Sequence, residues 1–130
     1  MRYLLDTHVW LWQLAEPDRV SARAGRVLDD PDSDLGLSPM SVWETMVLAR
    51  KGRIGLGTSP ERWIRQALGR TPARMVDMTH EIAIRAERLP GLETRDPVDR
   101  FLAATCLVEG MILVTSDRAL LAWDGLETLW

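Results

Sequence analysis

Five acidic side chains lie at the ends of predicted strands or in the first turns of predicted helices. Asp6 directly follows the apolar run "YLL", and Asp117 follows "LVTS". Glu44 lies one turn into the helix predicted after "LGLS", while Asp96 and Asp99 open the segment "RDPVDRFLAATC". Carboxylates gathered at one place can hold a metal ion or move protons, so their grouping is the first question that this sequence raises.

Helix capping explains each acid separately. Asp96 can be the N-cap of its helix, with Pro97 at the first helical position and Asp99 at the third. Ser41-x-x-Glu44 spells a capping box. Capping gives no reason, however, for acids to recur along one edge of one sheet, which is where ligands bind in open α/β folds.

The cost of gathering these carboxylates favours a bound cation. Two carboxylates about 5 Å apart repel by roughly 3 kcal/mol at an effective dielectric constant near 20, and four together would cost on the order of ten kcal/mol, comparable to the stability of a whole domain. Such a cluster persists by taking up protons or by holding a cation. His8, His80 and Cys106 are too scattered to form a zinc site, and oxygen ligands alone favour Mg²⁺, with Mn²⁺ as a substitute.

The elements that must position these acids alternate between strands and helices. Strands are predicted at "RYLL", "SDLGLS", "RMVDM", "MILVTSD" and "LETLW". Helices are predicted at "THVWLWQL", "SARAGRVLDD", "SPMSVWETMVLARKG", "SPERWIRQALG", "THEIAIRAERL", "RDPVDRFLAATC" and "RALLAW". Continuous apolar strands that alternate with helices predict a parallel sheet covered on both faces. The 130 residues form one α/β domain with no repeat or linker.

Composition restricts the class of protein further. The apolar runs are too short to span a bilayer, and the first residues lack a signal-peptide layout, so we expect no membrane association. A single cysteine excludes an internal disulfide and suits a cytoplasmic location. The net charge of −3 argues against a nucleic-acid partner, but arginines cluster in "ARKGR" and "RWIRQALGR", and several acids in one pocket make the net charge a poor guide.

Four segments in order and in register identify a resemblance: "LLDTHVWLW", "SPMSVWE", "RDPVDRFLAATC" and "LVTSD". Together they resemble the PIN-domain ribonucleases, and in particular toxins of the VapC type. The resemblance covers nearly the whole chain and implies a single PIN domain over residues 1–130. The implied fold is a three-layer α/β sandwich with a five-stranded parallel sheet between helices.

The implied activity is Mg²⁺-dependent endonucleolytic cleavage of cellular RNA, such as tRNA, rRNA or mRNA. The family's four acids, which hold the metal and act in catalysis, match Asp6, Glu44, Asp99 and Asp117 in that order. Family positions whose hydroxyl groups hold the acids or waters match Thr7, Thr115 and Ser116. Asp96 recurs only in one branch of the family, and we interpret it as a cap that can also reach a water on the metal.

The resemblance also implies two partners. VapC-type toxins are blocked by a cognate VapB-type antitoxin whose C-terminal segment lies in a groove near the active site, and they usually form homodimers. Trp10 and Trp12 are two apart on one short helix and cannot both face one core, so we expect one to be exposed for a partner. Trp43 and Trp63 are predicted to be core residues.

Other functions stay open at this point. A PIN-fold module that binds RNA without cleaving it would carry the same motifs. A receiver-like Mg²⁺-binding signalling domain would need a phosphoacceptor after the third strand, for which Asp77 could stand, and a lysine after a late strand. The only lysine, Lys51, lies in the wrong place for that role. A serine hydrolase and a P-loop protein are excluded because their motifs are absent.

Overall fold

A five-stranded parallel sheet forms the centre of the structure, a computed structural model that describes residues 1–130. The strand order is β3-β2-β1-β4-β5. The strands are β1 (Arg2–Leu5), β2 (Asp34–Leu37), β3 (Arg74–Met75), β4 (Ile112–Val114) and β5 (Thr128–Leu129). The prediction of a five-stranded parallel sheet is confirmed, although β3 and β5 are only two residues long.

Seven helices and one 3₁₀ turn connect the strands. The helices are α1 (Thr7–Ala15), α2 (Ala22–Asp29), α3 (Pro39–Arg50), α4 (Pro60–Arg70), α5 (His80–Glu87), α6 (Pro97–Glu109) and α7 (Arg118–Ala122), and the 3₁₀ turn is Pro17–Arg19. Each α-helix begins after an aspartate, serine or threonine whose side chain accepts a backbone N–H of the first turn. Such caps are worth about 1 kcal/mol each. No helix is both long enough and apolar enough to cross a membrane.

The central strands β1 and β4 send alternate residues to two separate cores. Leu4 and Leu113 are fully buried in a core with α6, whereas Leu5 and Val114 are fully buried in a core with α1, α2 and α4. Successive side chains of a strand point to opposite faces of its sheet. The chain is therefore a three-layer α/β sandwich, as predicted.

The strand order removes the receiver-like alternative. Receiver domains share the flavodoxin-like order 2-1-3-4-5, in which the third strand is central. Here β3 is an edge strand that pairs only with β2. Asp77 follows that edge strand and is exposed, so it does not occupy the central position that a phosphoacceptor would need.

The predicted capping box at Ser41 is wrong. Helix α3 begins earlier, with Ser38 as N-cap and Pro39 at the first position, and the Ser38 hydroxyl accepts the N–H of Met40. Ser41 is therefore inside the helix and fully buried. Glu44 is consequently in the second turn, where the backbone N–H groups already have helical partners and do not need its carboxylate.

The tryptophans divide differently from the prediction. Trp43 is 53% exposed, so its assignment to the core is wrong, because α3 buries its Ser41–Thr45 face instead. Trp63 is partly buried against the core. Trp10 is fully buried and donates its Nε1–H to the Thr71 hydroxyl at 2.9 Å, whereas Trp12 is only partly buried. The two side chains therefore do not share one core, as expected, but neither of them is fully exposed.

The fully buried Trp10 and the exposed Trp43 give a matched test of this division. Trp10→Ala should lower the free energy of unfolding by about 3–5 kcal/mol. It leaves a cavity in place of the largest fully buried side chain and removes the hydrogen bond to Thr71. Trp43→Ala, the same substitution at an exposed position, should change the free energy of unfolding of the monomer by no more than about 0.5 kcal/mol. Urea unfolding measures both, and similar losses in the two variants would contradict this division of the core.

Candidate active site

A pocket of about 350 Å³ opens where β1 and β4 end and α1, α3 and α6 begin. All four acids predicted from the sequence line it. Its lining residues are Asp6, His8, Trp12, Arg19, Glu44, Asp96, Asp99, Ser116 and Asp117. The carboxyl ends of parallel strands thus bring together residues more than a hundred positions apart. We call this space the acid pocket.

Asp6 is the most enclosed of the acids, at 7% exposure. Its Oδ1 accepts the backbone N–H of Thr7 at 2.7 Å, and its Oδ2 accepts the hydroxyl of Thr115 at 2.6 Å. Burial raises the pKa of Asp6 because the charged form loses its solvation, and the nearby Asp117 adds to that shift. The two hydrogen bonds oppose the shift by favouring the carboxylate, so they both orient Asp6 and help it to keep its charge.

The hydroxyl of Thr115 connects two of the acids. While it donates to Asp6, it accepts the backbone N–H of Asp117 at 3.0 Å. Asp117 in turn caps α7 by accepting the N–H of Leu120 at 3.1 Å. Ser116, between them in sequence, is half-buried and lines the pocket. This short chain of bonds joins the end of β4 to the end of β1.

Glu44 reaches the pocket from the second turn of α3. Burial raises its pKa, the hydroxyl of Thr7 opposes the shift, and the charges of Asp96 and Asp6 raise the pKa further. Thr7 is fully buried, and its hydroxyl also lies 2.9 Å from the hydroxyl of Ser41. The contact between Thr7 and Ser41 packs the start of α1 against α3 and thereby positions Glu44.

Asp96 and Asp99 have different roles in the structure. Asp96 is the N-cap of α6 and accepts the N–H groups of Val98 and Asp99 at 2.9 and 3.4 Å, so its predicted role as a cap is confirmed. Asp99, one turn later, accepts the hydroxyl of Thr94 at 3.1 Å. Thr94 also accepts the N–H of Asp96 at 3.3 Å, which holds the loop before α6 against both acids.

Asp99 shows the electrostatic strain of the cluster most clearly. Its pKa rises from 3.8 to about 7, first because it is buried and then because the charges of Asp96, Asp6 and Asp117 repel its own. The hydrogen bond from Thr94 opposes this only in part. Three neighbouring carboxylates can perturb Asp99 in this way only if the acids share one region of space.

Sequence reasoning missed several residues of the site. Thr94 and Ser41 hold acids or their supports, and His8, Trp12 and Arg19 line the pocket. A signal for two of them was present: His8 and Trp12 are four apart on the helix that Asp6 caps, so they lie on one face near that acid. Nothing in the local sequence indicated Arg19, which reaches the pocket from a separate turn.

The residues present fit a hard divalent cation. The donors are carboxyl and hydroxyl oxygens, which Mg²⁺ prefers. The pKa of Asp99 is raised first by burial and then by the neighbouring carboxylates, and a cation would relieve the second of these effects. No three carboxyl, imidazole or thiol groups already converge closely enough to surround one ion. Mg²⁺ usually keeps several waters and takes one or two protein carboxylates, which a pocket of this size can accommodate.

The fold and the pocket together define a parallel α/β protein with an acidic site at the carboxyl edge of its sheet. A family model described as "PIN domain" matches residues 3–126. The chain therefore belongs to the PIN-domain family. The resemblance to VapC-type proteins found in the sequence agrees with a relative that is 37% identical over 117 residues, Ribonuclease VapC22 of Mycobacterium tuberculosis, with 90% of this chain and 88% of that protein covered.

Solved structures share the fold at lower sequence identity. A DNA-bound VapBC structure from Salmonella typhimurium is similar with a TM-score of 0.73 at 16% identity, covering 99% of this chain and 97% of that chain. VapBC2 from Rickettsia felis, bound to a promoter DNA fragment, gives a TM-score of 0.72 at 14% identity, covering 99% and 98%. Both structures support the three-layer fold over essentially the whole length of the chain.

The raised pKa of Asp99 predicts an unusual pH dependence of stability in the presence of a chelator. Between pH 3.8 and about 7 the folded chain binds a proton that the unfolded chain has released, so the free energy of unfolding should fall as the pH rises through this window. Asp99→Asn should flatten that fall and be the more stable protein at pH 7.5. Thermal melts across this pH range measure both effects.

Asp124→Asn provides the control for this experiment, because Asp124 is exposed and does not line the acid pocket. It removes the same charge from the chain but should leave the slope of the pH profile unchanged. If Asp99→Asn and Asp124→Asn gave parallel profiles, Asp99 would not be titrating in the strained environment described here.

Proposed function

We propose that this chain is a Mg²⁺-dependent endoribonuclease, with Mn²⁺ as a substitute metal, and the toxin of a toxin-antitoxin pair. Its substrate would be a cellular RNA, and its site of action the cytoplasm. The observation that carries the proposal is the convergence of Asp6, Glu44, Asp99 and Asp117 on one pocket of a PIN domain. The name of the 37% identical relative, a ribonuclease, supports the activity.

The chemistry follows from what the acids can do. Hydrolysis of a phosphodiester needs an activated water and stabilisation of the charge that develops on phosphate oxygens. A divalent ion would supply both, and we assign its coordination, directly or through its bound waters, to the four carboxylates. The chain's own contribution is orientation: Thr7 and Thr115 hold Asp6 by both oxygens, and Thr94 holds Asp99. No side chain is placed as a covalent nucleophile.

Two protein partners belong to the same proposal. A groove of about 530 Å³ adjoins the acid pocket and is lined by Leu11, Trp12, Ile54, Leu56 and Trp63 among others. We assign it to the C-terminal segment of a cognate VapB-type antitoxin, since the similar solved structures include VapBC complexes. We also propose a homodimer, for which the exposed Trp43 and Met46 of α3 offer an apolar surface. Light scattering of the chain alone and with the antitoxin tests whether the homodimer and the complex with the antitoxin form.

The activity is tested by cleavage of structured RNA. The wild type should cleave only with Mg²⁺ or Mn²⁺ and lose all cleavage in EDTA. Asp99→Asn should reduce the rate by more than about a hundredfold, because loss of a direct ligand should exceed the 10–100-fold cost of losing an outer contact. Asp96→Ala should retain partial activity while costing about 1 kcal/mol of stability as a lost cap.

Three results would reject parts of this proposal. Cleavage that survives chelation would reject the metal mechanism. A wild type that binds RNA but never cleaves it would favour the non-catalytic RNA-binding module. An Asp96→Ala variant that is inactive but fully stable would mean that the roles of Asp96 and Asp99 are reversed.

Metal binding can be tested without knowing the RNA. Mg²⁺ at about 100 times its Kd should raise the free energy of unfolding by about 2.7 kcal/mol, because it binds only the folded site. Asp6→Asn, which keeps the cap of α1, should raise the melting temperature of the metal-free protein by relieving repulsion, yet gain far less from Mg²⁺. Ca²⁺ should stabilise the wild type but support little cleavage, because its coordination is looser.

Asp124→Asn again serves as the matched control and should gain as much from Mg²⁺ as the wild type does. Four melts of wild type and Asp6→Asn, with and without metal, decide the matter. Equal metal increments in these two proteins would show that Asp6 is not a ligand.

A further inference from the structure

Arg19 occupies a distinctive place at the rim of the acid pocket. It is the only lysine or arginine among the lining residues of that pocket, and it also lines the adjoining groove. It belongs to the 3₁₀ turn after α1, where it is exposed and lies outside both cores. One positive side chain therefore stands at the junction between the acids and the groove.

Two contacts position the Arg19 side chain, one with Trp12 and one with Glu16. Its guanidinium carbon lies 4.5 Å from the centre of the Trp12 ring, and its Nη1 lies 3.1 Å from Oε2 of Glu16. Both members of that ion pair are more than half exposed, and exposed pairs contribute little to stability. An anion could therefore replace Glu16 at small cost, while Trp12 keeps the guanidinium plane in place.

The ring of Trp12 is itself held by two aromatic neighbours. Its ring lies 5.9 Å, between centroids, from the ring of Trp130 and 5.9 Å from that of His8. These tilted aromatic contacts restrict the indole without enclosing it, since Trp12 remains partly exposed. The arrangement pre-orients Arg19 and so reduces the entropy that is lost when it binds a ligand.

A polyanionic substrate needs such a group at this place. Phosphates that approach four carboxylates are repelled, and a cation among the acids can offset the repulsion only near itself. The planar fork of an arginine matches the oxygens of a phosphate, and the Arg19 side chain makes only one hydrogen bond within the chain. The guanidinium is thus free to hold a second phosphate beside the one that is cleaved.

We propose that Arg19, held on Trp12, binds a backbone phosphate of the RNA next to the scissile phosphate. This rests on the proposed function and adds a substrate-positioning residue to it. A carboxylate of a protein partner would find the same guanidinium, but the position of Arg19 on the wall of the acid pocket itself favours the substrate. The partner is therefore treated as an alternative outcome of the test.

The test measures the affinity of the full chain for a short single-stranded RNA of mixed sequence, with Ca²⁺ present, over a series of salt concentrations. Arg19→Gln should raise Kd roughly tenfold, as the loss of one hydrogen-bonded charge contact does. It should also lower the salt-dependence slope by about 0.7, the value for one phosphate contact on a single strand. Arg19→Lys should restore that slope, because an ammonium still neutralises one phosphate, but only part of the affinity.

Two further variants separate phosphate binding from a structural role. Glu16→Gln breaks the same ion pair but frees the guanidinium, so RNA affinity should stay the same or increase. If Arg19 merely tied the turn to Glu16, this variant would weaken binding as much as Arg19→Gln does. Arg85→Gln removes an exposed arginine that lines neither pocket, and should leave Kd and slope unchanged.

The outcomes distinguish this inference from the proposed function. If the wild type cleaves RNA but Arg19→Gln keeps the wild-type Kd and salt slope, the assignment of Arg19 is wrong while the nuclease stands. If Arg19→Gln weakens only the binding of the antitoxin, the guanidinium serves the protein partner and the assignment is also wrong. If the wild type binds but does not cleave, the nuclease fails, and the binding data still decide the role of Arg19.

Discussion

The pair of hydrogen bonds that holds Asp6 is the interaction on which the rest of the site depends. A carboxyl at 7% exposure loses most of its solvation, and the N–H of Thr7 and the hydroxyl of Thr115 replace part of it. These donors come from the two neighbouring central strands, β1 and β4, just beyond their last residues. The register of those strands therefore sets the position of Asp6, and the other acids are arranged around it.

Helix capping and the acidic site are not alternatives, because the same aspartates serve both. Asp6, Asp96 and Asp117 each cap a helix whose N-terminus is at the acid pocket. Helix N-termini favour negative charge by roughly 0.3–1 kcal/mol each. Three such termini offset part of the repulsion among the carboxylates but not all of it, and what remains adds to the effect of burial in raising the pKa of Asp99.

The distribution of charge makes the net charge a poor guide to the surface around the acid pocket. The formal charge of −3 contains several acids that face one another inside a single pocket, where a cation would neutralise them. The surface that a polyanion would meet at the rim includes Arg19, and the adjoining groove adds Arg53. An acidic chain can therefore carry basic side chains at the rim of an acidic site.

The sequence by itself determined the elements, the parallel sheet and the four acids, because these depend on local signals. Apolar runs, helix caps and acids just beyond strand ends can each be recognised from a few consecutive residues. The order of the motifs along the chain identified the family. Tertiary structure alone decided that Ser38 rather than Ser41 caps α3, and that Trp10 is buried while Trp43 is exposed. It also decided that Asp6 is the acid to which the Thr115 hydroxyl bonds, across 109 positions, and that Arg19 joins the acids. These outcomes depend on which helix faces pack and which distant segments meet, and no local pattern records such contacts.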